Sequence, residues 1–125
     1  MSGTYNLKRG VADTGDINIV IEAASANGAI TIPDRGEKVV FITKGTAAAL
    51  TLAAPTTTVH DGVKITFMST TAAAHTVTAT TVGTNDGGTS TDVGTFGAAK
   101  GNNFTVIAYQ ADWWIIGTPV GITFA

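Results

Sequence analysis

The sequence contains no cysteine, and charged residues make up only 13% of its 125 residues. Without cysteine, disulfide bonds and thiolate chemistry are excluded, and the chain suits a reducing compartment. No stretch approaches the ~20 apolar residues of a membrane helix. The opening residues MSGTYNLKRG also lack the apolar core of a signal peptide. We therefore expect a soluble protein with no membrane partner that is not secreted by a signal-peptide route.

The few charges are unevenly placed and carry a net charge of -2. Nucleic acid is not an expected partner, because phosphate binding requires clustered Lys and Arg. Only Lys100 among the basic residues lies after position 64, so the second half is a nearly uncharged surface rich in Thr, Gly and Ala. A monomer with so few charges has poor solubility. We expect part of its surface to be covered by other copies or by a partner.

Threonine (23 residues), alanine (19) and glycine (15) dominate the composition, and apolar runs recur with period two. This pattern predicts β-strands separated by turns, because β-branched residues favour strands and Gly and Asn favour turns. The predicted strands are 17–23, 29–32, 38–43, 49–53, 63–68, 75–80, 103–109, 113–117 and 121–124, with a further short strand at 92–96. The fold class is all-β: a compact antiparallel sandwich, barrel or prism built from successive β-hairpins.

The chain length favours a single domain, predicted at 16–125, preceded by a flexible N-terminal arm at 1–15. Within the domain a predicted β-hairpin is repeated, as VVFITKGTAAALTLAA (39–54) and KITFMSTTAAAHTVTA (64–79). A shift of 25 positions superposes their Ala runs and places His75 on Leu50. A third hairpin is predicted at 104–115. Three hairpins suggest a meander, or a repeat wrapped about a three-fold axis within one chain or between chains.

No group of residues in the sequence has the pattern of a reaction centre. His60 and His75, the only histidines, have no clustered partners for a metal, and Leu in the sister unit indicates a packing or solvent-facing role for His75. Asp86 and Asp92 share a long Gly-rich segment (83–101) without a calcium motif, and we interpret them as solvated loop acids. We expect no enzyme activity, no metal and no cofactor.

Two apolar features point instead to contacts between proteins. Trp113 and Trp114 are adjacent, so on a strand one faces the core and the other faces away. The outward one is an interface anchor, a sugar-stacking platform or a residue covered by a loop. The last residues, TPVGITFA, alternate Val120, Ile122 and Phe124. They predict a strand that buries one face and completes a sheet of this subunit or of a neighbouring one.

Three segments resemble small structural proteins of tailed bacteriophages. They are KGTAAALTLAAPT, DGVKITFMSTTAAAHTVTA and GTFGAAKGNNFTVIAYQADWWIIGT, the last with a G-x-x-x-T-V-x-A-Y-x-x-x-W pattern familiar among head-decoration, head-fibre and tail-associated β-proteins. The resemblance covers about residues 30–125 and carries no catalytic residues. It implies a virion surface or cement protein, most often a homotrimer.

Together these features predict a trimeric capsid decoration protein, assembled in the host cytoplasm and located in the virion. Its partners would be the major capsid protein, bound by the arm, and two further copies of itself. The candidate partner-binding residues are Tyr5, Leu7, Lys8, Arg9, Trp114 and Phe124. The alternatives are a carbohydrate- or receptor-binding module of a fibre, with Trp114 and segment 83–101 as its site, and a lattice-forming capsid or tail subunit.

Overall fold

The structure is a computed structural model that describes residues 19–79, 84–85, 90–91 and 93–125. All regular structure in these residues is β-strand, which confirms the all-β prediction. The strands in chain order are β1 (Ile19–Ala24), β2 (Gly28–Ala29), β3 (Glu37–Ile42), β4 (Ala49–Leu52), β5 (Lys64–Ser69), β6 (Thr76–Ala79), β7 (Thr84–Asn85), β8 (Ser90–Thr91), β9 (Val93–Phe96), β10 (Asn103–Tyr109), β11 (Asp112–Val120) and β12 (Ile122–Phe124). In this part of the chain no helix could cross a membrane.

The strands form two mixed sheets that pack face to face as a sandwich rather than closing into a barrel. The larger sheet has the order β1-β3-β5-β10-β11-β7-β8, and the smaller has the order β12-β9-β6-β4-β2. In the larger sheet β1, β3 and β5 are parallel, and in the smaller sheet β2, β4 and β6 are parallel. The antiparallel pairs lie on the other side, where β10 joins β5 and β9 joins β6.

The two repeated units are therefore not hairpins, and this part of the prediction was wrong. In each unit the first strand lies in the larger sheet and the second in the smaller sheet, so the turn between them crosses the core as an arch. The first arch (β1 to β2) has the same form. Three arches stack on one another, and each strand pairs in parallel with the corresponding strand of the next arch.

The stacking also corrects the alignment of the repeat. Leu50 pairs with Val77, and Ala48 lies beside His75, so the offset in space is 27 residues rather than 25. The arch turns are joined by hydrogen bonds from the second arch to side chains of its neighbours. The Ala48 amide donates to His75 Nδ1 at 3.0 Å, and the Ala49 amide donates to Asn27 Oδ1 at 2.9 Å. These side chains satisfy amides that no strand partner reaches.

The third hairpin is confirmed. Strands β10 and β11 pair antiparallel from Tyr109↔Asp112 outward, around a two-residue turn at Gln110 and Ala111. Both turn residues have positive φ (53° and 64°), as the type I′ turn of a tight hairpin requires. Asp61 supports the turn from outside, because its Oδ1 accepts the Gln110 amide at 2.9 Å.

The core lies between the two sheets and is one continuous apolar cluster. Alternate residues of the strands point into it, as in the buried–intermediate alternation of β3, β5 and β10. Four aromatic rings meet at its centre: Phe67 stacks on Phe104 at 5.2 Å, and Phe96 and Phe124 contact Phe104 from the other sheet. The described strands of both sheets share this core.

The C-terminal strand and segment 83–101 differ partly from expectation. Strand β12 completes the smaller sheet of its own chain by pairing antiparallel with β9, while Val120 is 51% exposed. The short strand predicted at 92–96 is confirmed as β9. The same segment supplies β7, which pairs parallel with β11, and β8, which pairs with β7. The predicted arm at 1–15 lies outside the described residues.

Candidate functional site: the two outer faces of the sandwich

The described residues bring no three His, Asp or Glu side chains together as metal ligands. His60 lies in the turn after β4, where its Nδ1 accepts the Thr56 amide at 2.8 Å. An open depression of about 650 Å³ is lined by Val20, Pro33, Asp34, Arg35 and Val59, and both of its charged residues are exposed. The predicted loop acids Asp86 and Asp92 lie outside the described residues. Among the described residues, neither the surroundings of His60 nor the depression has the convergent buried polar groups of a reaction site.

His75 is fully buried and structural. Because the Ala48 amide donates to Nδ1, the proton of the neutral ring lies on Nε2, which donates to Thr71 Oγ1 at 2.9 Å. The Thr71 hydroxyl in turn donates to the Lys44 carbonyl at 2.7 Å. Burial, and then the positive charge of Lys44, lower the pKa of His75 below its ordinary value of 6.5. The ring therefore holds two arches together in its neutral form.

The feature that stands out is the outer face of the larger sheet, which is largely apolar. The face comprises the outward side chains of β1, β3, β5, β10 and β11, and we call it the apolar face. In the register of the sheet they form three rows: Ile19, Glu37, Lys64, Ile107 and Trp114; Ile21, Val39, Thr66, Thr105 and Ile116; Ala23, Phe41, Met68 and Asn103. A solvated sheet face carries polar residues at these positions.

The exposure of this face is greatest at its two sides. Ile19 and Ile21 on the edge strand are 54% and 62% exposed, and Trp114 on the far side is 43% exposed. The interior positions of the face are partly covered by their neighbours within the sheet. Large apolar side chains left open to water at this density mark interaction surfaces.

Four polar residues of the apolar face are paired with one another, and the side-chain amide of Asn103 donates to the Gly101 carbonyl at 2.7 Å. Lys64 and Glu37 form an ion pair at 3.1 Å, and the hydroxyls of Thr66 and Thr105 are hydrogen-bonded at 2.8 Å. These pairs lie side by side on adjacent strands, so the middle of the face has no net charge and little unsatisfied hydrogen-bonding capacity.

The outer face of the smaller sheet, on the opposite side of the sandwich, is polar rather than apolar. The outward positions of β4, β6, β9 and β12 form what we call the threonine face: Thr51, Thr76, Thr78, Thr95 and Thr123, with Ala49 and Val93. A threonine face combines strand propensity with a hydroxyl directed to solvent. The two faces are built on the same strand alternation, so their difference lies in the choice of side chains.

The two tryptophans lie on opposite sides of β11, as predicted. Trp113 is fully buried, and its Nε1 donates to the Ala53 carbonyl at 2.9 Å, which joins the larger sheet to the end of β4. Trp114 belongs to the apolar face, and its Nε1 donates to the Tyr109 carbonyl at 3.3 Å. Tyr109 is itself 58% exposed, so this corner presents two aromatic residues.

The other predicted partner-binding residues do not gather around Trp114. Phe124 packs edge-on against Phe104 at 5.3 Å, and it is partly buried at the core of the sandwich rather than on the apolar face. Tyr5, Leu7, Lys8 and Arg9 lie outside the described residues.

Sequence reasoning missed the apolar face because it treated alternate apolar residues as the core and did not ask what occupied the intervening positions. The signal was present in IVIEAA (19–24) and VVFI (39–42), where apolar residues occupy both sides of a strand. In β1 and β3 such continuous runs indicate strands with two apolar faces. No protein-family model, curated protein or solved structure was found to match this chain.

Proposed function

We propose that this chain is a non-enzymatic structural protein of a bacteriophage virion, which decorates the head by binding the major capsid protein as a homotrimer. The observation that carries a structural role is the apolar face opposite the threonine face. An exposed sheet of this composition is suited to protein–protein contact. The assignment to a phage head rests on the resemblance of the three sequence segments.

The chemistry of the described residues supports assembly over catalysis. The two histidines are engaged by backbone amides, and His75 belongs to the packing of the arches. The ion pairs are structural: Lys38 is buried and pairs with Glu22, and Lys64 pairs with Glu37. The surface available to a partner is the apolar face, which is held by the strands of the larger sheet.

In the proposed mechanism the arm at residues 1–15 binds the capsid, and the β-domain projects outward. Ordering of the arm on a capsid site provides attachment. Because the chain binds the assembled shell in preference to free capsid subunits, it stabilises the shell by mass action.

The test is coexpression with the major capsid protein encoded in the same genome, followed by gradient sedimentation. Full-length chain should cosediment with shells, whereas a variant lacking residues 1–15 should remain at the top of the gradient. Circular dichroism and light scattering should show the truncated chain to be folded and trimeric. Truncated chain that decorates shells at full occupancy would show that the arm is not the attachment site. Full-length chain that never cosediments would contradict the decoration role.

A second function is favoured by the exposed aromatic corner. Trp114 and Tyr109 are 43% and 58% exposed, and the Trp114 Nε1 donates to the Tyr109 carbonyl, so one corner of the face presents two aromatic side chains on which a sugar ring can stack. Specific binding on a glycan array that is lost in Trp114→Ala, with Val59→Ala as the control at another exposed apolar residue, would support a receptor-binding module.

A further inference from the structure

We propose that the apolar face is the surface through which copies of this chain bind one another. The inference assigns a surface to self-association, and it does not depend on the capsid being the external partner. The occupant is another copy of this chain, which presents its own apolar face.

The two outer faces of the sandwich differ in the polarity of their outward side chains. On the threonine face the outward positions of β6 are Thr76 and Thr78. On the apolar face the outward positions of β1 include Ile19 and Ile21, which are more than half exposed. The isolated chain gains nothing from placing these side chains in water, since each loses the free energy of apolar burial. The same side chains stabilise a complex in which they are covered.

The apolar face is large enough for an interface between two copies. Five strands spaced ~4.8 Å apart and six residues long at ~3.3 Å each give a face of ~24 by ~20 Å, or ~480 Å². Two copies contribute about 1,000 Å² between them, which is the lower limit for a specific interface. The true accessible area is larger than the flat projection, because side chains such as Trp114 project from the sheet.

The three rows of the apolar face carry no net charge. Glu37 and Lys64 neutralise each other at 3.1 Å, and Asp112 lies beyond the rows, at the end of the face beside the β10–β11 turn. Rows that are neutral and largely apolar are complementary to the same rows of another copy, and they have no positive field to attract nucleic acid or an acidic membrane. A second copy supplies such a surface without a further partner.

Two closed arrangements cover the face. Two copies related by a two-fold axis form a second sandwich layer with sheets ~10 Å apart. Three copies around a three-fold axis form a triangular prism, and a face ~24 Å wide then lies ~7 Å from the axis, within reach of side chains. In both arrangements Thr66, at the centre of the face, lies near the symmetry axis.

The first experiment measures the mass of the full chain in solution and compares two substitutions to lysine. Ile21→Lys places a charge on the apolar face, and Thr78→Lys places the same charge on the threonine face. By analytical ultracentrifugation the wild type and Thr78→Lys should be dimers or trimers at micromolar concentration. Ile21→Lys should raise the dissociation constant at least ~10-fold, since an unpaired charge is then buried. Equal weakening by both variants, or a monomeric wild type, would overturn the inference.

The second experiment uses the absence of cysteine, which makes single-cysteine variants unambiguous. A short bis-maleimide should link copies of Thr66→Cys and leave Thr78→Cys unlinked. A linker is needed because Cα atoms of packed sheets are too far apart for a disulfide. Cross-linking of Thr78→Cys alone would place the interface on the threonine face.

The arm at residues 1–15 is an alternative occupant of the apolar face. The variant lacking residues 1–15 distinguishes this alternative from binding by another copy. If full-length chain is monomeric and the variant lacking residues 1–15 associates, the arm is the occupant and the inference is wrong. Self-association with no cosedimentation on shells would leave this inference standing and contradict the decoration role. Cosedimentation of a monomeric chain with shells would contradict this inference and leave the decoration role standing.

Discussion

At the scale of single residues, His75 shows how a side chain can look like a candidate for chemistry and serve as structure. Its two ring nitrogens are both used, one by the Ala48 amide and the other by Thr71. Protonation of Nδ1 would remove the acceptor of the Ala48 amide and place a charge in the core beside Lys44. The arrangement therefore requires the neutral ring.

This requirement predicts a pH dependence of stability. The pKa of His75 is lowered in the folded chain and takes its ordinary value of 6.5 in the unfolded chain, so only the unfolded state binds the proton in the interval between them. The free energy of unfolding should be constant above pH 6.5 and should fall as the pH drops through that interval. Urea unfolding at pH 7.5, 6.0 and 5.0 measures it.

The variant His75→Gln tests the assignment. It should lose the pH dependence between 5.0 and 7.5 and cost about 1–3 kcal/mol at pH 7.5, because buried hydrogen bonds are disturbed. If His75→Gln keeps the dependence, His75 is not the titrating group.

At the scale of elements, strand positions were predictable and strand partners were not. Each of the ten predicted runs overlaps a strand, because alternation and turn residues are local signals. The same alternation occurs in a hairpin and in an arch, since both reverse the chain after a few residues. The strand after Ile42 could lie in the same sheet, as in a hairpin, or in the opposite sheet, as in an arch. The chain takes the arch, and this leaves β3 free to pair in parallel with β5.

The hairpin between β10 and β11 predicts a stabilising substitution. Ala111 has φ 64°, a conformation in which its Cβ is strained, and glycine adopts this conformation without cost. Ala111→Gly should raise the free energy of unfolding by about 0.5–1 kcal/mol. Ala49→Gly, at an exposed strand position with ordinary φ, should lower it by a similar amount. Destabilisation by both substitutions would show that the turn does not hold this conformation.

Two glycines, Gly117 within β11 and Gly121 between β11 and β12, should respond unequally to substitution by alanine. Gly117 and Gly121 have φ of 72° and 68°, so alanine at either position is strained by about 1–2 kcal/mol. A Cβ on Gly121 would also collide with the side-chain amide of Asn102, whereas a Cβ on Gly117 meets nothing within 4 Å. Thermal denaturation should show Gly121→Ala to be the less stable variant by a further ~1 kcal/mol or more. Equal losses would mean that Asn102 moves aside freely.

At the scale of the whole molecule, both sheets depend on one core. Phe104 of the larger sheet contacts Phe96 and Phe124 of the smaller one, and Trp113 reaches the Ala53 carbonyl. Neither sheet can lose its partner and keep its apolar side chains buried. The sandwich should therefore unfold as one unit.

Tryptophan fluorescence and far-UV circular dichroism test this cooperativity. At any one protein concentration their urea transitions should coincide, because Trp113 and the strands lose their environment together. If the apolar face joins copies, the common midpoint should rise with concentration. Two separated midpoints would show that the sheets unfold independently.

The sequence by itself determined the all-β character, most strand positions, the tight hairpin and the opposite orientations of Trp113 and Trp114. These follow from local chemistry: β-branched residues, turn residues and the two-residue period of a strand. Its low charge also predicts that part of the surface is covered by other copies or by a partner, and this stays a prediction.

Only the tertiary structure decided the parallel stacking of the arches, the offset of 27 residues, the role of His75 and the separation of apolar and threonine faces. The physical reason is that an outward side chain and an inward one are equivalent within a single strand. Which side is the core depends on contacts between residues far apart in the chain. The character of an outer face emerges only when neighbouring strands bring their outward residues into rows, as Ile21 and Val39 are brought side by side here.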